Sequence, residues 1–180
     1  MKLVEELNEK KKFGLLRVFG SIKENFQKIY ADLSNGGEAD LILEVPDDPL
    51  NGGLIIRARP RNQKQLRLEA LSGGEKSLTA LSFIFAIQTY QPSPFYLLDE
   101  VDMFLDGLNA ENVARAIAKN SANAQFMQVS LRKTTLKEAD HMIGVAKQPN
   151  GLSQVVIKAH IGDEVFEEED QKPAEEAGSA

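Results

Sequence analysis

The sequence predicts an α/β fold that is entered through a long N-terminal helix. Two observations predict it. The apolar spacing is helical up to residue 33 and changes to strict alternation at residue 39, and after residue 90 short apolar runs alternate with helical segments. Strands that alternate with helices are typical of a parallel sheet with crossover helices. The 180 residues, 42% of them hydrophobic, suffice for one domain with a sizeable core.

The first predicted element is a helix over residues 3–33. Its apolar side chains form one stripe with alternating spacings of four and three: Leu15, Phe19, Ile22, Phe26, Ile29 and Leu33. The residues before this stripe are highly charged, as at the exposed end of a coiled coil, and the segment Ser-Asn-Gly-Gly at 34–37 ends the helix. We therefore interpret residues 1–33 as a coiled-coil stub and entry helix.

The elements after residue 37 follow from alternation, apolar runs and breakers. Four apolar residues in a row at 95–98 predict a buried strand, and the almost uniformly apolar residues 75–89 predict a buried helix. The first three strands are expected to pair antiparallel. The full set is strands at 39–45, 54–59, 66–70, 95–98, 124–131, 141–146 and 152–161, and helices at 75–89, 109–119 and 134–139.

The net charge of −6 is unevenly distributed along the chain. Residues 163–180 hold eight acidic residues and one basic residue, which leaves 19 acidic and 20 basic residues before them. We expect 163–180 to be an acidic disordered tail. There is no cysteine, no run that resembles a signal peptide and no apolar stretch long enough to span a bilayer. These features predict a cytoplasmic protein.

The segment "LSGGEKS" at 71–77 has the composition of a phosphate-contacting loop. Gly73 and Gly74 expose backbone N–H groups without a Cβ, Ser72 adds a hydroxyl, and the helix that begins near Glu75 directs its N-terminus at whatever the loop holds. A turn that only caps the helix is an equal alternative for these residues alone. The segment is not a Walker A loop, because no glycine directly precedes Lys76.

The segment "FYLLDE" at 95–100 places two acids at the carboxyl end of a strand, where ligands bind in open α/β sheets. Asp99 is suited to hold Mg²⁺, and Glu100 to orient and polarise an attacking water. The alternative is a pair of acids that caps the next turn. Asp106 follows in a second turn and by itself would be an N-cap residue.

Together these segments resemble the ATP-binding-cassette (ABC) ATPases. Residues 71–75 correspond to the signature motif, 95–100 to Walker B, and Asp106 to the D-loop. With the heptad-like helix before them, they are similar to the C-terminal head segment of SMC (structural maintenance of chromosomes) proteins, over roughly residues 10–160. Leu131 stands near the place where many cassette ATPases carry a histidine, which SMC proteins commonly lack as well.

The resemblance implies the C-terminal lobe of an ABC-type ATPase head at 34–162, a mixed sheet with flanking helices. Walker A would lie on a separate N-terminal half, so this chain alone would be inactive. Asp99 would hold Mg²⁺ and Glu100 would act as catalytic base for ATP on the same head. ATP held by a second head would be contacted by Leu71, Ser72, Gly73, Gly74, Glu75 and Lys76, and Asp106 would also bind nucleotide.

The resemblance also implies partners and a process. ATP would join two heads and hydrolysis would release them, which drives chromosome condensation and segregation in the nucleoid. A kleisin subunit would dock on the first helix and on strands 141–161. DNA would meet a basic group formed by Arg57, Arg59, Arg61, Lys64 and Arg67, unless that group is only a solvated hairpin.

Two other functions fit the sequence. The chain would be a docking module for kleisin or DNA if its nucleotide motifs were idle. It would otherwise be the head of a related DNA-repair coiled-coil ATPase, against which the missing histidine near Leu131 argues.

Overall fold

The computed structural model describes residues 2–159, which fall into two compact units, one ending at Leu131 and the other beginning at Arg132. The predicted tail 163–180 and the last two residues of the predicted strand 152–161 lie outside the described residues. The α/β fold class is confirmed. In order, the elements are α1 (Lys2–Leu33), β1 (Glu38–Leu43), β2 (Leu54–Arg59), β3 (Leu66–Arg67), a 3₁₀ turn (Leu68–Ala70), α2 (Gly73–Tyr90), β4 (Phe95–Asp99), α3 (Gly107–Asn120), β5 (Gln125–Val129), α4 (Lys133–Lys137), β6 (His141–Lys147) and β7 (Ser153–Ala159).

Helix α1 is continuous, as predicted, and passes through Gly14 and Gly20 without a break. It ends where Asn35 and Gly36 take φ values of 56° and 94°, in the left-handed region that a helix cannot continue through. The N–H of Gly36 donates to the carbonyl oxygen of Ala31 at 2.8 Å, which satisfies one carbonyl of the last turn.

Strands β1, β2 and β3 form an antiparallel sheet, as predicted, with Leu41 opposite Ile56 and Ala39 opposite Ala58. Its inner face packs on Phe26 and Tyr30 of α1. Strand β3 is shorter than the predicted strand 66–70, because the chain turns at Leu68 and brings Leu71 into the same core. That turn places residues 71–77 at the start of α2.

Strands β4 and β5 form a parallel pair connected through α3, with Asp99 opposite Val129. One face packs on Leu78, Leu81 and Phe85 of α2 and on Val113 and Ile117 of α3, around a buried Leu98. The prediction that strand 95–98 is buried on both faces is wrong, since Phe95 is 57% and Leu97 68% exposed. The described elements cover only one face of this pair. Helix α2 also exposes apolar side chains, at Ile84 and Ile87.

The unit that begins at Arg132 contains α4 and the β6–β7 hairpin. Its two strands pair antiparallel from His141 opposite Ala159 to Lys147 opposite Ser153. The parallel arrangement expected from the sequence therefore applies to β4 and β5 but not to this hairpin. Among the described residues, no helix combines the length and apolarity needed to cross a membrane.

Candidate functional site

The segment 71–77 begins α2 with a reciprocal capping box between Ser72 and Glu75. The backbone N–H of Glu75 donates to the Ser72 hydroxyl oxygen at 3.4 Å. In return, the N–H and the hydroxyl of Ser72 donate to Oε2 of Glu75 at 2.9 and 2.8 Å. The capping turn that the sequence left as an alternative is therefore present, and it fixes the loop in front of the helix N-terminus.

The carboxylate of Glu75 also links this loop to the β2–β3 hairpin. Its second oxygen, Oε1, accepts from the side-chain amide of Gln63 at 3.0 Å. The backbone N–H of Ser72 lowers the pKa of Glu75 most, the Ser72 hydroxyl and the Gln63 amide lower it further, and partial burial opposes them. Glu75 is thus held as an anion.

The two glycines of the loop have different surroundings. A Cβ on Gly74 would lie 2.7 Å from the carbonyl oxygen of Phe104, so the loop packs there at a distance that only glycine permits. A Cβ on Gly73 would meet no atom within 4 Å. Gly74 therefore brings the segment 71–77 against the turn at 100–106, and Gly73 leaves its backbone open to a ligand.

Asp99 and Glu100 are exposed where β4 ends. The backbone of Glu100 has a φ of 47°, unusual for a residue other than glycine. Its N–H donates to the carbonyl oxygen of Val129 at 3.0 Å, and its own carbonyl accepts from the N–H of Met103 at 3.1 Å. These bonds extend the β4–β5 ladder by one residue and then turn the chain away.

The acids at this edge are suited to a magnesium ion whose other ligands are waters and phosphate oxygens. Within residues 2–159 there is no cluster of three or more histidine, aspartate or glutamate side chains able to enclose a metal. Mg²⁺ is commonly held by one or two carboxylates, with waters and substrate phosphates as the other ligands. The exposed carboxylate of Asp99 at the strand end is suited to that role.

Asp106 caps α3. Its Oδ1 accepts from the backbone N–H of Asn109 at 2.8 Å, and its Oδ2 accepts from the side-chain amide of Asn109 at 2.9 Å. The N-cap role that the sequence allowed is therefore realised. A nucleotide contact by Asp106, or by the partly exposed Lys76 in the first turn of α2, stays a prediction.

The sequence reasoning missed Asp102, which is only 2% exposed. The hydroxyl of Ser130, the residue after β5, donates to Oδ2 of Asp102 at 2.5 Å. One signal was available in the sequence: an acid in an apolar turn three residues beyond Asp99, and a serine near the end of the predicted strand 124–131.

The predicted basic group lies on the outer face and tip of the β2–β3 hairpin. Arg57 lies between Asp40 and Arg67 in the strand register, and Arg59 forms an ion pair with Glu38. Arg61, Lys64 and Arg67 are exposed. Gln63, between the two tip cations, connects this hairpin to Glu75.

A family model described as the RecF/RecN/SMC N terminal domain matches residues 56–154. Two similar curated proteins are both named chromosome partition protein Smc. The one from Gloeobacter violaceus is 48% identical over 153 residues, and the one from Pyrococcus furiosus is 47% identical over 156 residues. These matches cover 85% and 87% of this chain, but the chain spans only 13% of the length of each relative.

Solved structures give the same picture. A chain from a study of ATP-driven dimerization and DNA-stimulated activation of SMC ATPases aligns with a TM-score of 0.78 at 43% identity, and covers 90% of this chain and 99% of its own length. A Pyrococcus furiosus Smc head domain with an extended coiled coil, bound to the C-terminal domain of ScpA, aligns with a TM-score of 0.84 at 44% identity. That alignment covers 95% of this chain and 43% of the other.

Proposed function

The chain belongs to the SMC family as a segment of its ATPase head, and from this premise we propose that it is the C-terminal half of a head that binds and hydrolyses ATP only together with an N-terminal half. The observation that carries the proposal is the packing of Gly74 on Phe104. This packing places the N-terminus of α2, which is suited to bind an anion, against the turn that follows Asp99 and Glu100.

The segment 71–77 serves ATP held by a second head. The open backbone at Gly73 and the N-terminus of α2 attract the γ-phosphate of that nucleotide. In the capping box the Ser72 hydroxyl donates to Glu75, so contact with phosphate requires Ser72 to exchange one acceptor for another. Lys76, in the first turn of α2, and Asp106, two residues after the Phe104 that packs on Gly74, complete the contact with the nucleotide.

Asp99 and Glu100 serve the nucleotide of their own head. Asp99 would hold Mg²⁺, whose charge offsets that of the β- and γ-phosphates. Glu100 accepts a proton from the water that attacks the γ-phosphorus, and the bond between that phosphorus and the bridging oxygen breaks to give ADP and phosphate. Loss of the γ-phosphate removes the contact that held the second head, so hydrolysis separates the two heads.

We place the partners of this head on two surfaces. The solved head from Pyrococcus furiosus is bound to the C-terminal domain of ScpA, and we assign a kleisin contact to the β6–β7 hairpin here, which exposes Ile143, Val145, Val155 and Ile157. We assign a contact with DNA to Arg61, Lys64 and Arg67. The protein acts in the cytoplasm, on the chromosome, in condensation and segregation.

A docking module with idle nucleotide motifs is the second candidate, favoured by the exposed apolar side chains of the β6–β7 hairpin. ATP turnover by this chain, alone and mixed with a matching N-terminal half, separates the two functions. We expect turnover only in the mixture, and its loss in Glu100→Gln. A mixture that associates and binds ATP without turning it over would favour docking.

A further inference from the structure

We propose that Asp102 and Ser130 are positioning residues that hold Glu100 in its reactive orientation. The inference rests on the proposed role of Glu100 as the base. We do not expect either residue to contact the nucleotide, because Asp102 is almost fully buried and Ser130 is partly buried. They act through the backbone on either side of Glu100.

The bond between the two residues joins the ends of β4 and β5. The Ser130 hydroxyl donates to the Asp102 carboxylate at 2.5 Å, at the short end of the range for bonds to a charged acceptor. A carboxylate in a buried position is costly unless hydrogen bonds satisfy it. The turn that contains Asp102 is therefore stable in this position only while such bonds are made.

Glu100 lies in the short stretch of chain that hydrogen bonds hold against the end of β5. Its N–H bonds to Val129, the residue before Ser130, while Asp102, two residues further along, bonds to Ser130 itself. The turn is closed by bonds from the N–H of Met103 to Glu100 and from the N–H of Leu105 to Asp102, at 3.1 and 3.2 Å. Two successive residues of one strand end thus fix the chain on both sides of Glu100.

This fixation matters because the backbone of Glu100 is in the left-handed region, with a φ of 47°. Residues other than glycine remain there only when their surroundings impose it, and such residues cluster at functional sites. Without the bond from Ser130, we expect Glu100 to relax towards an ordinary φ, which redirects its carboxylate. The signature segment 71–77 keeps its own capping box and Asp99 keeps its place in the β4–β5 ladder, so both retain bonds of their own when this one is lost.

The test measures kcat and KM for ATP in the assembled head, comparing Ser130→Ala with Ser130→Thr, which keeps the hydroxyl. We expect kcat to fall at least about tenfold in Ser130→Ala and to recover in Ser130→Thr, since small displacements of a catalytic group cost up to about a hundredfold. KM and ATP-dependent head association should change less than about threefold. Asp102→Asn, with a weaker, uncharged acceptor, should give a smaller loss of kcat.

The matched control is Ser82→Ala, which removes a buried hydroxyl that donates to Leu78 at 2.7 Å within α2. It should leave kcat within about twofold of the unsubstituted head. Hydrogen exchange adds a direct readout. The exchange rate of the Glu100 backbone amide should rise in Ser130→Ala and stay unchanged in Ser82→Ala.

Three results would overturn the inference, and they differ in scope. Full turnover in Ser130→Ala, beside an inactive Glu100→Gln, would remove the positioning role and leave the proposed function intact. Retained turnover in Glu100→Gln would overturn the proposed function and the inference with it. A parallel loss of kcat and head association in Ser130→Ala would show a structural role instead.

Discussion

At the scale of single residues, the carboxylate of Glu75 decides how the loop at 71–77 is presented. One oxygen closes the capping box with Ser72 and the other accepts from Gln63, so the loop is fixed before any nucleotide binds. A preorganised loop loses less conformational freedom when it meets a phosphate.

Replacing the N-cap residue should destabilise the chain measurably. Ser72→Ala removes the cap of α2, which typically costs about 1 kcal/mol. The control is Ser21→Ala, which removes an exposed hydroxyl that bonds back to Arg17 inside α1. Urea unfolding should show a lower free energy of unfolding for Ser72→Ala and little change for Ser21→Ala. Equal stability of both variants would contradict the role of the capping box.

The cap should also be sensitive to pH through Glu75. Because the pKa of Glu75 is lower in the folded state than its ordinary 4.5, its contribution to stability is present above 4.5 and is lost as the pH falls through the lowered value. We therefore expect the unsubstituted chain to be more stable than Glu75→Gln at neutral pH and the difference to shrink in acid. A difference in the free energy of unfolding that does not vary with pH would contradict this.

The two glycines should respond differently to alanine. Gly74→Ala forces a methyl group against the Phe104 carbonyl, and overpacking of this kind typically costs about 1–3 kcal/mol. Gly73→Ala meets open space, so stability should hold while ATP-dependent association of two heads weakens. Thermal unfolding measures the loss of stability, and light scattering of the assembled heads measures their association. Equal destabilisation by both substitutions would contradict the assigned roles.

At the scale of secondary structure, the sequence predicted most elements because their signals are local. Helix α1 follows from its apolar stripe and glycine stop, and β2 has the bounds that were predicted for it. The length of β3 was not predictable, because it depends on Leu68 and Leu71 reaching a core built by distant parts of the chain. Asp102 was missed for the same reason: its partner Ser130 is 28 residues away.

The β2–β3 hairpin gives a prediction at this scale. If its tip binds DNA, Arg61→Ala and Lys64→Ala should each weaken binding for all sequences and reduce the salt dependence of the affinity by about one ion. Arg59→Ala is the matched control, since Arg59 is already paired with Glu38. The measurement is DNA affinity of the assembled head across a salt series. Equal effects of all three substitutions would indicate general charge and no site at the tip.

At the scale of the whole molecule, the apolar residues left uncovered on β4 and β5 accord with a half-head. Phe95, Leu97, Met127 and Val129 share one face of the pair, and none of the described elements covers it. The sequence suggested an incomplete head through its missing Walker A loop, and an incomplete head leaves part of its sheet uncovered. The buried strand predicted from "FYLL" was wrong for this face, because Phe95 and Leu97 remain exposed among the described residues.

The central claim is that the signature segment of one head completes the site whose base is Glu100 of another. Mixing two inactive heads tests it: Ser72→Arg, which blocks the signature segment, and Glu100→Gln, which removes the base. In mixed dimers one of the two sites pairs an intact Ser72 with an intact Glu100, so a random equal mixture should recover about one quarter of the normal ATP turnover. Each variant alone should be inactive. No recovery, in a mixture shown to form mixed dimers, would contradict the account.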